Sequence, residues 1–76
     1  MSNVKSNVKP GDAVIVSDNG FETTIWSHST FRLGDPICYV PPRMVGICVA
    51  KLDYATLVLL NNGAFGWVLN SSCKPL

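Results

Sequence analysis

MVGICVAKLDYATLVLLNNGAFGWVL, residues 44–69, reads as three consecutive strands joined by two tight turns. Asn62-Gly63 separates the second and third apolar runs, and both residues tolerate the positive φ angles that short hairpin turns require. The other turn falls at residues 52–55, where Leu-Asp-Tyr-Ala interrupts the apolar pattern. This stretch predicts an antiparallel meander at the centre of the fold.

The first predicted strand of the meander has two different faces. Val45, Ile47 and Val49 stand on one side, and the small residues at positions 46, 48 and 50 stand on the other, because side chains alternate along a strand. We expect the branched face to line the hydrophobic core.

The second and third strands of the meander have different patterns. Residues 56–60 (TLVLL) form a nearly continuous apolar run, which is typical of a strand covered on both faces. In the third strand, Phe65 and Trp67 share one face and Val68 takes the opposite one.

The rest of the chain predicts shorter elements around the meander. We expect a flexible lead-in over residues 1–9 and a single barrel domain over residues 10–76, opened by a Pro-Gly-Asp turn and a strand at residues 13–16. The long first loop, residues 21–42, is either a hairpin folded back on the barrel or a functional loop. Its β-type composition favours a ragged hairpin of Thr23–Trp26 against Ile37–Val40. Residues 70–72 predict one 3₁₀ turn before a last strand at residues 73–76. No segment has the apolar spacing of a helix, so the fold class is all-β with about five barrel strands.

Composition limits the function classes. Of 76 residues, 47% are hydrophobic and 14% charged, and the net charge is only +1, so no strong field attracts nucleic acid or acidic lipid. No apolar run is long enough to span a bilayer, and the first residues lack the apolar region of a signal peptide. A weakly charged, apolar chain of this size favours self-association.

Catalytic and metal-binding patterns are missing from the sequence. Cys38, Cys48 and Cys73 are three in number and have no Cys-x-x-Cys spacing, so we expect reduced thiols and no metal site. His28 stands between two serines that would face the other way on a strand, and no G-x-S-x-G motif exposes a nucleophile. We therefore expect a protein that is not an enzyme and needs no cofactor.

Several short motifs resemble those of SH3-like barrels. Gly66-Trp67-Val68, followed by the predicted 3₁₀ turn and last strand, is similar to the closing segment of bacterial SH3 domains. Residues 9–14 (KPGDAV) resemble the opening of KOW-type and related small barrels, and residues 45–49 (VGICV) resemble their second strand. The positions that bind proline-rich peptides in SH3 domains are largely replaced here, since Leu69 stands at the position of the usual proline and Cys73 near that of the usual tyrosine. The resemblance therefore implies an SH3-like barrel without the usual peptide site.

A looser resemblance concerns the N-G-x-x-x-W-V pattern that begins at Asn62. Similar strands occur in short proteins of marine phages. Together with the expected reduced thiols and the lack of a signal peptide, this favours a cytoplasmic protein of a bacterium or of a phage-infected host.

Candidate contact residues follow from a groove that we expect between the long loop and the barrel. Aromatic rings would line this groove and basic side chains would form its rim, while Trp26 and Trp67 are open to either a core or a surface position. The candidates are Trp26, His28, Phe31, Arg32, Tyr39, Arg43 and Trp67.

The sequence favours a protein-interaction or assembly module. We expect it to bind a protein partner or to form a homo-oligomer, either by edge-strand pairing or through the Trp26–Tyr39 loop. The alternative is a small nucleic-acid-binding barrel of KOW-like character, in which Arg32, Arg43 and Lys51 would contact phosphates beside the aromatic rings.

Overall fold

The fold is taken from a computed structural model that describes residues 8–18, 20, 22–30 and 34–76. These residues form strands and one 3₁₀ turn, Asn70–Ser72, which precedes the last strand. The strands are β1 (Ala13–Val16), β2 (Thr23–Trp26), β3 (Pro36–Val40), β4 (Met44–Lys51), β5 (Ala55–Leu60), β6 (Phe65–Leu69) and β7 (Cys73–Pro75).

All seven strands belong to one sheet in the order β3-β2-β6-β5-β4-β1-β7, and every neighbouring pair is antiparallel. The sheet curls into a half-barrel. The predicted meander is therefore confirmed as β4, β5 and β6, which lie next to one another at the centre.

The predicted count of about five strands is too low. The long first loop is a hairpin of β2 and β3, as expected, with Thr23 opposite Val40 and Thr24 opposite Tyr39. This hairpin continues the sheet instead of lying against it, because Trp26 of β2 pairs with Trp67 of β6. Two more strands are thereby added at one side.

Two predicted turns are confirmed. Gly63 has a φ of 90°, its amide donates to the carbonyl of Leu60, and the Ala64 amide donates to Oδ1 of Asn62 at 2.9 Å. Residues 70–72 form the expected 3₁₀ turn, and the last strand follows directly at Cys73.

The faces of β4 are the reverse of the prediction. Cys48 is buried, while Ile47 and Val49 are 51% and 43% exposed and Val45 is only half-buried. The reason is space on the concave side of the curled sheet. A Cβ atom at Gly46 would collide with the Leu59 carbonyl oxygen and lie 2.8 Å from Leu60 Cα, so only small residues fit there.

The central strand β5 is covered on one face only, which corrects the expectation of two covered faces. Val58 and Leu60 are buried, but Leu59, which points the other way, is 45% exposed. In β6 the prediction is confirmed, since Val68 is buried and Phe65 and Trp67 lie on the opposite face.

One hydrophobic core fills the concave side of the sheet. Every strand contributes to it, and so does Val8, which precedes the first strand and belongs to the predicted lead-in. The buried members are Val8, Val14, Val16, Ile25, Val40, Cys48, Val58, Leu60, Val68 and Cys73.

Candidate interaction surface

The convex face of the sheet carries a row of exposed apolar side chains. Ile47 of β4 lies opposite Leu59 of β5, and Leu59 lies opposite Phe65 of β6. Residues directly opposite in antiparallel strands share a face, so the three side chains are neighbours. About half of each is exposed, at 51%, 45% and 50%. We call these three residues the outer ladder.

A second row runs parallel to the outer ladder and is less exposed. It consists of Leu57 of β5, Trp67 of β6 and Trp26 of β2, which are opposite one another in that order and all half-buried. Both tryptophans therefore lie outside the buried core and form a cross-strand pair on the convex face.

A β-bulge extends the apolar face along β4. The register between β4 and β5 shifts between Cys48 and Ala50, which leaves Val49 as the extra residue. A bulge bends its strand and increases the local twist. Val49 is 43% exposed beside the two rows.

Two other candidate residues are exposed on β3 and in the loop after β2, and two lie outside the described residues. His28 is an exposed residue in the loop after β2, and its Nδ1 accepts a hydrogen bond from the Thr30 amide at 3.0 Å. Tyr39 is 66% exposed on β3, opposite Thr24. Phe31 and Arg32 lie outside the described residues, as do residues 1–7 of the predicted lead-in.

The predicted basic rim is not assembled in the described part of the chain. Arg43 precedes β4 and Lys51 ends it, so the extended strand separates them by roughly 25 Å. Arg43 Nε instead lies 4.0 Å from Oδ1 of Asp18, whose Oδ2 is 3.8 Å from Lys74 Nζ. Exposed pairs of this kind contribute little to stability.

The loop after β2 contacts the turn after β4 through hydroxyl groups. Hydrogen bonds with Ser29 and then Thr30 lower the pKa of Tyr54. Asn70 of the 3₁₀ turn also holds the turn after β4, because its Nδ2 donates to the carbonyls of Leu52 at 3.1 Å and Asp53 at 2.9 Å. The two loops beside the tryptophan row are thus tied to each other and to the 3₁₀ turn.

Replacing Asn70 with alanine is expected to lower the free energy of unfolding by about 2 kcal/mol. Besides its two bonds to the turn, Asn70 accepts a hydrogen bond at 2.6 Å from the Thr56 hydroxyl, and Thr56 is fully buried. That hydroxyl would lose its partner away from water. Urea unfolding should report the loss, and Ser71→Ala, an exposed change in the same turn, should have little effect. Equal stability of the two variants would contradict this role of Asn70.

The described residues contain no cluster of metal-ligating side chains. No group of three or more His, Cys, Asp or Glu residues among them is close enough to bind a metal ion. Cys38, Cys48 and Cys73 are free thiols. Burial, and next the nearby Cys48, raise the pKa of Cys73 to about 11, and burial together with the Asp12 charge raises the pKa of Cys48.

The high pKa of Cys73 predicts a loss of stability at alkaline pH. The unfolded chain releases this proton near its ordinary pKa of about 8.5, whereas the folded chain keeps it until about pH 11. Stability is therefore complete below about pH 8.5 and falls between the two values, by up to about 3 kcal/mol. Thermal unfolding of the wild type and Cys73→Ala across this range should give converging stabilities. Parallel pH profiles would contradict the prediction.

The exposed members of the outer ladder were not among the sequence candidates. The alternation on either side of Ile47 was visible in residues 45–49, but the branched face of this strand was assigned to the core. The signal that identifies the inner face is the pair of small residues at positions 46 and 48, since a Cβ atom at Gly46 already collides with β5.

Comparison with family models, curated proteins and solved structures gave no significant match. In the described ranges no helix has the length and hydropathy to cross a bilayer.

Proposed function

We propose that this chain is a non-enzymatic assembly module with an SH3-like barrel fold, and that its partner is a second copy of itself. The strand order supports the fold. A first strand, a long excursion, a three-stranded meander, a 3₁₀ turn and a final strand beside the first follow one another as in such barrels. The β2–β3 hairpin takes the place of the long first loop.

The outer ladder carries the functional part of the proposal. Three large side chains, each about half exposed, lie side by side on adjacent strands of the convex face. Contiguous exposed apolar patches usually mark contact sites, whereas scattered apolar residues do not. Lys51, at the very end of β4, is the one charged residue in the three strands that carry the ladder.

The usual ligand groove of SH3-like barrels is a weaker candidate for this surface. It lies between the first long loop and the turn after the second barrel strand, which here correspond to the loop after β2 and the turn after β4. The contacts of Tyr54 with Ser29 and Thr30 connect these two segments. The convex face of β4, β5 and β6 remains open beside them.

Nucleic-acid binding is the alternative, and the described charges give it little support. Arg43 and Lys51 lie at opposite ends of β4, and Arg43 approaches an aspartate. Stacking of single-stranded bases on Trp26 and Trp67 would lack the basic groove that normally tracks the phosphates.

Two solution measurements test the proposed function. Sedimentation velocity over a range of protein concentrations should show association that is as strong at about 500 mM salt as at about 50 mM, because apolar contacts are not screened. Fluorescence anisotropy of a labelled single-stranded oligonucleotide should show no saturable binding at the lower salt concentration. A monomer at all protein concentrations, or oligonucleotide binding that weakens steeply with salt, would overturn the proposal.

A further inference from the structure

We infer that two copies pack through their convex sheet faces, related by a two-fold axis on which Leu59 of one copy meets Leu59 of the other. The inference rests on the proposed self-assembly and names the surface that performs it. It differs from both routes that the sequence suggested, which were pairing of edge strands and contact through the Trp26–Tyr39 loop.

Both edges of the sheet are poorly suited to pairing with another strand. The β7 edge has three residues, of which Lys74 is charged and Pro75 lacks an amide hydrogen. The β3 edge begins at Pro36, is followed by Pro41 and Pro42, and contains a register shift at Ile37. Short length, proline, lysine and bulges are the features with which natural sheets prevent edge pairing.

The centre of the convex face has the opposite character. The charged residue that shares this face through its pairing with Ile15, Lys74, lies at the β7 edge. The outer ladder crosses the three central strands without a charge, and Ala13 of β1 continues it beyond Ile47. A central patch that is apolar and uncharged is complementary to itself. A second copy of the chain can therefore cover this patch without a specialised partner.

The available area also fits a pair of small subunits. Half-exposed side chains of this size offer roughly 70–100 Å² each, so the outer ladder, Val49 and the partly exposed second row present on the order of 500 Å² per copy. Two such faces bury about 1,000 Å², which is the lower bound for a specific interface. We therefore expect a dimer of moderate affinity, with a dissociation constant on the order of 10 µM.

Symmetry fixes which residue lies at the centre. Two sheets that face each other are related by a two-fold axis lying in the plane between them, because rotation about the sheet normal would leave both faces pointing the same way. Closed dimers use the same patch on both copies. Leu59 is the middle member of the outer ladder and belongs to the central strand β5, so it meets its own copy whichever in-plane direction the axis takes.

A pair of charge variants tests the surface. Leu59→Lys places two like charges against each other at the axis and should raise the dimer dissociation constant at least about 30-fold. Leu52→Lys is the matched control, since Leu52 lies in the turn after β4 and is 40% exposed, close to the 45% of Leu59. It should change the constant less than about three-fold. Both constants come from sedimentation equilibrium of the full chain, with circular dichroism confirming that each variant is folded.

A crosslinking experiment tests the axis independently. Leu59→Cys in a Cys38→Ser background should form a disulfide-linked dimer under mild oxidation, whereas Leu52→Cys in the same background should not. Wild-type association that resists Leu59→Lys, or is equally lost with Leu52→Lys, would overturn the inferred surface. A dimer without the Leu59→Cys crosslink, or assembly beyond the dimer, would overturn the two-fold arrangement. These results leave self-assembly intact, while a monomeric wild type removes both proposals.

Discussion

Gly46→Ala is expected to leave the chain largely unfolded at room temperature. The new methyl group would collide with the Leu59 carbonyl oxygen and lie 2.8 Å from the Cα and Cδ2 atoms of Leu60. Two of these atoms are backbone atoms of β5 and are fixed by pairing with β4, where Gly46 is opposite Leu60. The clash is therefore relieved only by separating the central strands.

Gly46→Ala is expected to unfold the chain because a domain this short has a low net stability. Overpacking of a core usually costs about 1–3 kcal/mol, and displacement of backbone raises this further. A single small core rarely supplies more than about 3–5 kcal/mol of net stability. Circular dichroism and urea unfolding should show loss of the cooperative transition.

Gly63→Asn is the control for Gly46→Ala. Gly63 has open space around its Cβ position, and asparagine tolerates its φ of 90° better than other side chains do. This variant should lose less than about 1 kcal/mol. A folded Gly46→Ala protein as stable as Gly63→Asn would contradict the close approach of β5 to Gly46.

The second large effect is expected for Ile25→Ala, which should lower the free energy of unfolding by about 3 kcal/mol. Ile25 is fully buried. It anchors a hairpin whose backbone, within the described residues, pairs with β6 at Trp26 and Trp67 alone. In a domain of this size the loss corresponds to a fall in melting temperature of roughly 12–24 °C. Thermal unfolding followed by circular dichroism measures it.

A double variant separates packing from general destabilisation. A Cβ atom at Gly66 would collide with Ile25 Cγ2 and lie 2.7 Å from the Trp26 carbonyl oxygen. Gly66→Ala combined with Ile25→Ala should therefore cost less than the sum of the single changes, since the first collision disappears. Ile47→Ala, at an exposed isoleucine, should have little effect on a dilute monomer. Additive losses would contradict the close approach of β2 and β6.

Local patterns in the sequence predicted much of the fold. Asn62-Gly63 identified the turn between β5 and β6, because few other residues accept the required φ angles. The alternation of residues 65–68 correctly placed Val68 on the opposite face from Phe65 and Trp67. Both features depend only on near neighbours in the chain.

The inward face of β4 was predicted wrongly, because it depends on curvature. Alternation indicates that a strand has two faces, but hydropathy alone assigned Ile47 to the core. In the folded chain the approach of β5 limits the volume beside Gly46, and Cys48 fills the space that remains. A sequence pattern carries no direct measure of that volume.

The tryptophan pair also exceeded what local patterns can predict. Trp26 and Trp67 are distant in sequence and become neighbours through one pairing between β2 and β6. The sequence left the position of each ring open between core and surface. The pairing of β2 with β6 places both rings on the convex face, outside the core.

The most direct test of the account is a dilution series of methyl-labelled protein observed by nuclear magnetic resonance. The account predicts that resonances of Ile47 and Leu59 shift with protein concentration while those of Val14 and Val58, on the buried face, stay constant. Concentration-dependent shifts confined to Ile37 and Val40 on the β3 edge, or no shifts at all, would contradict the convex face as the site of assembly.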